Sequence, residues 1–323
     1  MFKDIKFILK QIIKNQKRFL KSKLGNHISN VGATHKSKLV KESIDYVNDV
    51  FDDYLQYGKL DSTDLKDKVI LEIGPGDNFG NALLFLVHGA KKVYLLDKFY
   101  SERNQEQQYR IYKRLRENLT KEQQSKFDLA LIFSKNSFEF NKEKIEYIYG
   151  YGIEDKKNTL PKNYFDIIVS RAVIQEISNT VKVFKKMHRL LKMNGLMLHK
   201  IDLRDYGTFS KYKKHQLGSL QFNSFVYKLM TNHSGLPNRR RINHYRNLLK
   251  QFNFKSMIYI THLFGENESE FVPHKLMDDI EKEISQNDID YIESSKSLLA
   301  KEFRKIPTTD LLISGIFINA IKE

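Results

Sequence analysis

The chain of 323 residues contains no cysteine, which excludes disulfides, thiolate metal sites and a cysteine nucleophile, and it fits a reducing compartment. It also lacks any apolar run near the ~20 residues that a membrane-spanning helix needs. The N-terminus has no uncharged apolar stretch of the kind a signal peptide requires, because Lys10 and Lys14 interrupt it, so the expected location is the cytoplasm. There is no internal repeat and no low-complexity segment. From 206 to 250 there is no acidic residue at all, although that stretch carries nine basic ones.

What is present is ample apolar material, 41 % of residues, so wholesale disorder is excluded. The formal charge of +16 points to an anionic partner such as nucleic acid, a membrane surface or a phosphorylated substrate. That charge is discounted in part because lysine, isoleucine and asparagine are abundant throughout.

Residues 68–100 organise the rest. An apolar, β-branched run at 69–73 has the pattern of a strand buried on both faces. Gly74-Pro75-Gly76-Asp77 turns the chain, 78–88 is helical and closed by Gly89, and a second strand at 93–96 stops at Asp97. This is a strand–helix–strand unit with a glycine turn at one strand tip and a carboxylate at the next. Glycine there admits close backbone approach, and the opened helix offers free N–H groups. Asp97 is spaced to accept both hydroxyls of a ribose. Dinucleotides and simpler nucleoside cofactors share that pattern. Glu72 disfavours a pyrophosphate but can reach an ammonium through water, and Phe79 stands where a dinucleotide site has its third glycine. A nicotinamide-dependent dehydrogenase is disfavoured on both counts.

Around this unit, residues 1–24 read as an amphipathic helix with eight basic residues against one acidic, a net of about +7. It either docks on the main domain or lies on an anionic membrane surface at the inner face of the membrane. A loop spans 25–32 and a helix 36–57, so that 1–66 forms an N-terminal helical region. Two helices over 103–118 and 121–132 precede a third strand at 145–149. A fourth strand follows at 165–170, a helix at 181–191, a fifth strand at 196–201, a sixth at 256–262 and a closing one at 311–321. Strands alternating with helices, then a final strand pair, make an α/β sheet the natural class.

At this point the sequence resembles a family. Glu72-Ile73-Gly74-Pro75-Gly76, Asp97, Phe165-Asp166-Ile167-Ile168-Val169-Ser170 and Leu191-Lys192-Met193-Asn194-Gly195 look like the ordered motifs of class I S-adenosylmethionine-dependent methyltransferases. The run HKIDLRDY at 199–206, with Asn238-Arg239-Arg240-Arg241 and Tyr245, is similar to a bacterial subgroup associated with cell-surface glycan clusters and polysaccharide biosynthesis. The resemblance implies a Rossmann-like, seven-stranded, mostly parallel sheet with helices on both faces and a final antiparallel strand. The methyltransferase domain would run from 67 to 323, with a substrate cap inserted at 206–250.

The resemblance also implies that S-adenosyl-L-methionine is held by Gly74, Pro75, Gly76 and Asp77, with Glu72 at the methionine end and Asp97 and Lys98 at the ribose. Ile153 and Glu154 would border the adenine, and Ser170 and Arg171 would line the floor. Two departures stand out: Gly152 replaces an aspartate common in the family, and Glu176 replaces a histidine. Candidate bases at strand ends are Asp202, His199 and Glu176. Arg204, Asp205, Arg239, Arg240, Arg246 and Tyr245 would contact the acceptor, because arginine forks suit phosphate or carboxylate. The spacing of His199, Asp202 and Asp205 is not diagnostic of a metal, and none is expected. The expected reaction is O-methylation of a small or glycan-linked anionic acceptor, such as a nucleotide- or phosphate-bearing sugar. An RNA methyltransferase, with no recognisable RNA-binding module to support it, and a non-catalytic membrane-associated scaffold on the same fold are the alternatives.

Overall fold

The structure, a computed structural model, describes residues 2–23, 28–29, 34–61, 63–233, 235–265 and 270–323. Its main sheet holds strands β1 (Val69–Ile73), β2 (Lys92–Asp97), β3 (Ile145–Tyr149), β4 (Phe165–Arg171), β5 (Leu191–Asp202), β6 (Phe254–Leu263), β7 (Lys275–Leu276) and β8 (Ile313–Lys322). Their order across the sheet is β7-β6-β8-β5-β4-β1-β2-β3. Strands β3, β2, β1, β4 and β5 are mutually parallel, and β8 enters antiparallel between β5 and β6. The seven expected strands are therefore present, and the two-residue β7 extends the edge by one more. The fold is the Rossmann-like, mostly parallel sheet with a final antiparallel strand.

The helices of eight residues or more among the described residues are α1 (Phe2–Lys23), α2 (Val40–Gly58), α3 (Gly80–Val87), α4 (Gln105–Glu117), α5 (Lys121–Ala130), α6 (Thr180–Leu190), α7 (Ser224–Thr231), α8 (Ile242–Gln251) and α9 (Gln286–Ser295). Alternation along the strands feeds two cores. Ile70, Val93, Leu95 and Leu198 face α2 and α3, whereas Leu71, Leu96, Met197 and Ile201 face α6 and α8. Strand β1 is buried at all five residues, which explains why its sequence is a continuous apolar run interrupted only by Glu72. Helix α6 begins at an Asn179 cap, whose side chain accepts from the Lys182 amide.

Two features escaped the periodicity. Residues 131–134 and 137–140 form a small hairpin, where the expected helix runs on to 132 and no element is expected from 133 to 144. The loop expected over 25–32 lies outside the described residues except for Ile28–Ser29, which pair in parallel with Tyr100–Ser101. Among the described residues no helix is long and apolar enough to cross a membrane.

Candidate functional site

The carboxyl ends of β1, β2, β4 and β5 converge because parallel pairing puts them in one row: Glu72 lies beside Leu95 and Val169, and Ser170 lies beside His199. The loop leaving β1 takes left-handed conformations at Gly74 (φ 71°) and Gly76 (φ 68°). A side chain at Gly74 would meet Val173 Cγ2 at 2.3 Å, so the close approach of the β4 loop also demands glycine. The Gly74 amide donates to the Leu96 carbonyl at 2.8 Å, joining the turn to the end of β2.

At the tip of β2, Asp97 accepts from the Phe99 amide at 3.1 Å, and burial raises its carboxyl above the ordinary value. Asp77 is almost fully buried and accepts from the His35 amide, which lays residues 34–39 across the turn. Gln107 reinforces that cover by donating to the Lys38 carbonyl at 2.6 Å. Sequence reasoning did not single out His35, and only its spacing ahead of α2 offered a signal.

Glu72 is the most perturbed acid of the site. It is fully buried, burial first and the Asp97 charge second push its carboxyl up to about 8, and Oε2 has no partner among the described residues. The Tyr54 hydroxyl on α2 is likewise buried without a partner, and burial followed by the Glu72 charge raises it. A buried carboxylate oxygen without a donor calls for a cationic one from a ligand. The ammonium of a methionine moiety suits it, so the residues present fit S-adenosylmethionine. Glu154 presents a second orphan oxygen, Oε2, while its Oε1 accepts from Lys98 Nζ at 3.1 Å. Ile153 is buried at its foot.

The three candidate bases have different surroundings. His199 is sealed: Ser170 Oγ bonds its Nδ1 at 2.8 Å, Nε2 faces no partner, and burial lowers the ring to about 3. Asp202 is held by Arg204 through both oxygens, at 2.9 and 2.8 Å. Glu176 sits in the short turn Ile174–Glu176 after β4, where burial, then the charge of Asp97, raises it to about 7. Tyr206 donates to Glu176 Oε1 at 3.3 Å and accepts from Gln175 Nε2 at 2.8 Å. Tyr206 lay inside the HKIDLRDY run, but nothing in the sequence told its hydroxyl apart from other tyrosines.

The basic segment is mostly turned inward. Arg239 donates to the Ser219 carbonyl at 2.9 Å and to the Phe222 carbonyl, with its guanidinium 3.8 Å from the Tyr227 ring centre. Burial lowers it to about 10. Arg241 donates to the Leu203 carbonyl at 3.0 Å, the Leu311 carbonyl at 2.9 Å and the Ile313 carbonyl. Arg246 pairs with Asp310 at 2.8 Å, and Tyr245 is fully buried. Asp205 is spent on its own turn, accepting from the amides of Gly207, Phe209 and Ser210. Arg240 is exposed, and the neighbouring Asn238 docks on the Glu176 turn by donating to the Ile174 and Ile177 carbonyls at 3.1 and 2.9 Å.

On the α2 side, Arg171 and Lys200 both bond Asp53, and Lys200 also bonds Glu270. Asp53, Glu270 and His274 bring three potential metal-ligand atoms within 4.8 Å, but the Lys200 ammonium already serves both carboxylates as their cation. The sequence did not reveal this network, because its members come from α2, β4, β5 and the segment before β7.

Solved structures with a similar course include a protein of Listeria monocytogenes assigned as an S-adenosylmethionine-dependent methyltransferase, at 15 % identity and TM-score 0.40, covering 84 % of this chain and 99 % of that one. An S-adenosylmethionine-dependent methyltransferase of Mesorhizobium loti matches at 13 % identity and TM-score 0.40, covering 84 % and 98 %. Phosphoethanolamine N-methyltransferase 2 of Haemonchus contortus, solved with S-adenosyl-L-methionine, matches at 14 % identity and TM-score 0.41, covering 84 % of this chain and 60 % of that one. No curated protein matches the chain in sequence. A family model described as "Methyltransferase domain" matches residues 46–257, about two thirds of the chain. The chain belongs to that methyltransferase-domain family, and it is an S-adenosylmethionine-dependent methyltransferase.

Proposed function

We propose that the chain transfers the methyl group to an oxygen of a small or glycan-linked acceptor that carries negative charge, such as a phosphate-bearing sugar, with Glu176 as the base. Bound S-adenosylmethionine supplies an electrophilic methyl on a sulfonium. The protein's part is to orient the acceptor and take its proton. The observation that carries the reading is Glu176, a half-buried carboxyl raised to about 7, close enough to Asp97 to feel its charge and held by Tyr206. A base with that pKa is matched to neutral pH, ionised in a useful fraction yet basic enough to accept the proton of a hydroxyl as the O–C bond forms. His199 is sealed from solvent and burial lowers its ring to about 3, too weak a base to take the proton, and Asp202 is neutralised by Arg204. Exposed Arg240, two residues beyond the Asn238 that docks on the Glu176 turn, offers the acceptor anion a planar fork.

The test is the pH dependence of kcat on a panel of phosphosugar and nucleotide-sugar acceptors. Rate should rise through pH ~7 as Glu176 ionises, and Glu176→Gln should lower kcat by about 10²–10³ and flatten that limb. A Glu176→Gln enzyme that keeps the native profile removes Glu176 from the mechanism. Turnover confined to neutral or cationic acceptors removes the anionic substrate.

A further inference from the structure

Helix α1 has two apolar faces, and the fold uses one. The inner face closes the cap: Phe7 stacks on Tyr212 at 3.7 Å between ring centres and meets Phe209 edge-on. Asn15, buried, donates to the Leu229 carbonyl at 2.9 Å and accepts from the His233 amide at 2.8 Å. Asp4, the helix's single acid, bonds Lys213 at 2.7 Å. The outer face carries Ile5, Leu9, Ile13 and Leu20, exposed by 46, 54, 56 and 59 %. Steps of four, four and seven place them in one stripe along the helix. Lys6, Lys10, Lys14 and Lys17 are exposed in the same turns.

We propose that this outer face of α1 docks on an anionic lipid surface and thereby holds the acceptor cap against the bilayer. The inference is independent of the acceptor and of the base. An unpartnered stripe of large aliphatic side chains needs a hydrocarbon neighbour, and lysines beside it need anions at the depth of the headgroups, where their stems can reach outward. A lipid surface supplies both in one plane. A nucleic acid would meet the lysines but leave the aliphatic stripe in water. A second copy of the chain would cover the stripe but set two rows of lysine against each other. The one acid that would oppose the charge is withdrawn to the inner face by Lys213. The helix lies on the surface and does not span, since its 22 residues are not apolar enough to cross.

The experiment is co-sedimentation of the full-length protein with vesicles of phosphatidylcholine containing phosphatidylglycerol, and with phosphatidylcholine alone. Binding is expected to the first and little to the second, weakening with salt, with each Lys→Gln at positions 6, 10 or 14 costing about fivefold in partitioning. The double variant Leu9→Glu/Ile13→Glu should abolish it while leaving S-adenosylhomocysteine binding, measured by calorimetry, as in the native protein. Lys10→Gln/Lys14→Gln serves as a second probe should the glutamates disturb folding. Absence of native binding to the anionic vesicles, or unchanged binding by both variants, overturns the proposal. So does a native dimer in sedimentation that Leu9→Glu/Ile13→Glu dissolves while vesicle binding is missing.

Discussion

Glu72→Gln tests the donor end of the site more sharply than any other change. The native carboxyl moves from an ordinary 4.5 to about 8 on folding, because burial removes its water and no cation replaces it. Between those values the folded protein keeps a proton that the unfolded chain has released, so the ligand-free enzyme loses stability as pH rises through the window. From pH 5 to pH 7 the loss amounts to about 3 kcal/mol, at ~1.4 kcal/mol per pH unit. Glutamine does not titrate, so the variant is expected to keep that stability. On a protein of this size the difference appears as about 4 °C in Tm between native and variant, opening between pH 5 and pH 7. Donor binding reverses the balance. An ammonium beside Glu72 favours the ionised form, so native binding at pH 7 should release a proton, detectable by calorimetry in buffers of different ionisation enthalpy. Glu72→Gln should release less and bind S-adenosylhomocysteine about 10–100-fold more weakly, the worth of a charge-assisted hydrogen bond. Parallel Tm curves for the two proteins across pH 5–7, or equal donor affinity, would refute the reasoning.

Two further outcomes separate working arginines from structural ones. Arg240→Ala should raise KM for an anionic acceptor by about tenfold with kcat and Tm nearly unchanged, as expected for an exposed charge-assisted contact, measured by steady-state kinetics and thermal melting. Arg241→Leu should destabilise the fold by at least about 3 kcal/mol in denaturant titration, because it strips donors from the buried carbonyls of Leu203, Leu311 and Ile313.

The part of the fold that the sequence made legible is the part whose residues are neighbours along the chain. Val69 to Asp97 announces strand, turn, helix and strand within thirty residues, and each signal is local. The glycines of the turn and the carboxylate of Asp97 are legible for the same reason. The segment 206–250 is the opposite case. Nine basic residues without an acid suggested a receptor for an external anion, yet Arg239 and Arg241 are held by main-chain carbonyls, which leave no trace in composition. Arg246 finds its acid in Asp310, sixty-four positions away. The contrast among Asp202, His199 and Glu176 was equally hidden, since it depends on burial and on Tyr206 and Arg204, not on residue type. Helix α1 was read as either packed or membrane-facing; its two apolar faces overlap in a sequence pattern and separate only when one of them is covered.

The insertion of β8 between β5 and β6 sets an order on the birth of the molecule. During synthesis β5 is complete at Asp202, but the strand that covers its free edge does not begin until Ile313. At ordinary elongation rates of about 5–20 residues per second, that edge stays open for roughly 5–20 s. Throughout that interval the nascent chain carries a central strand with an unpaired row of amides and carbonyls, and β6 waits beside it without its neighbour. Residues 313–322 are therefore a keystone laid last, and substitutions there should show first as lost yield in the cell.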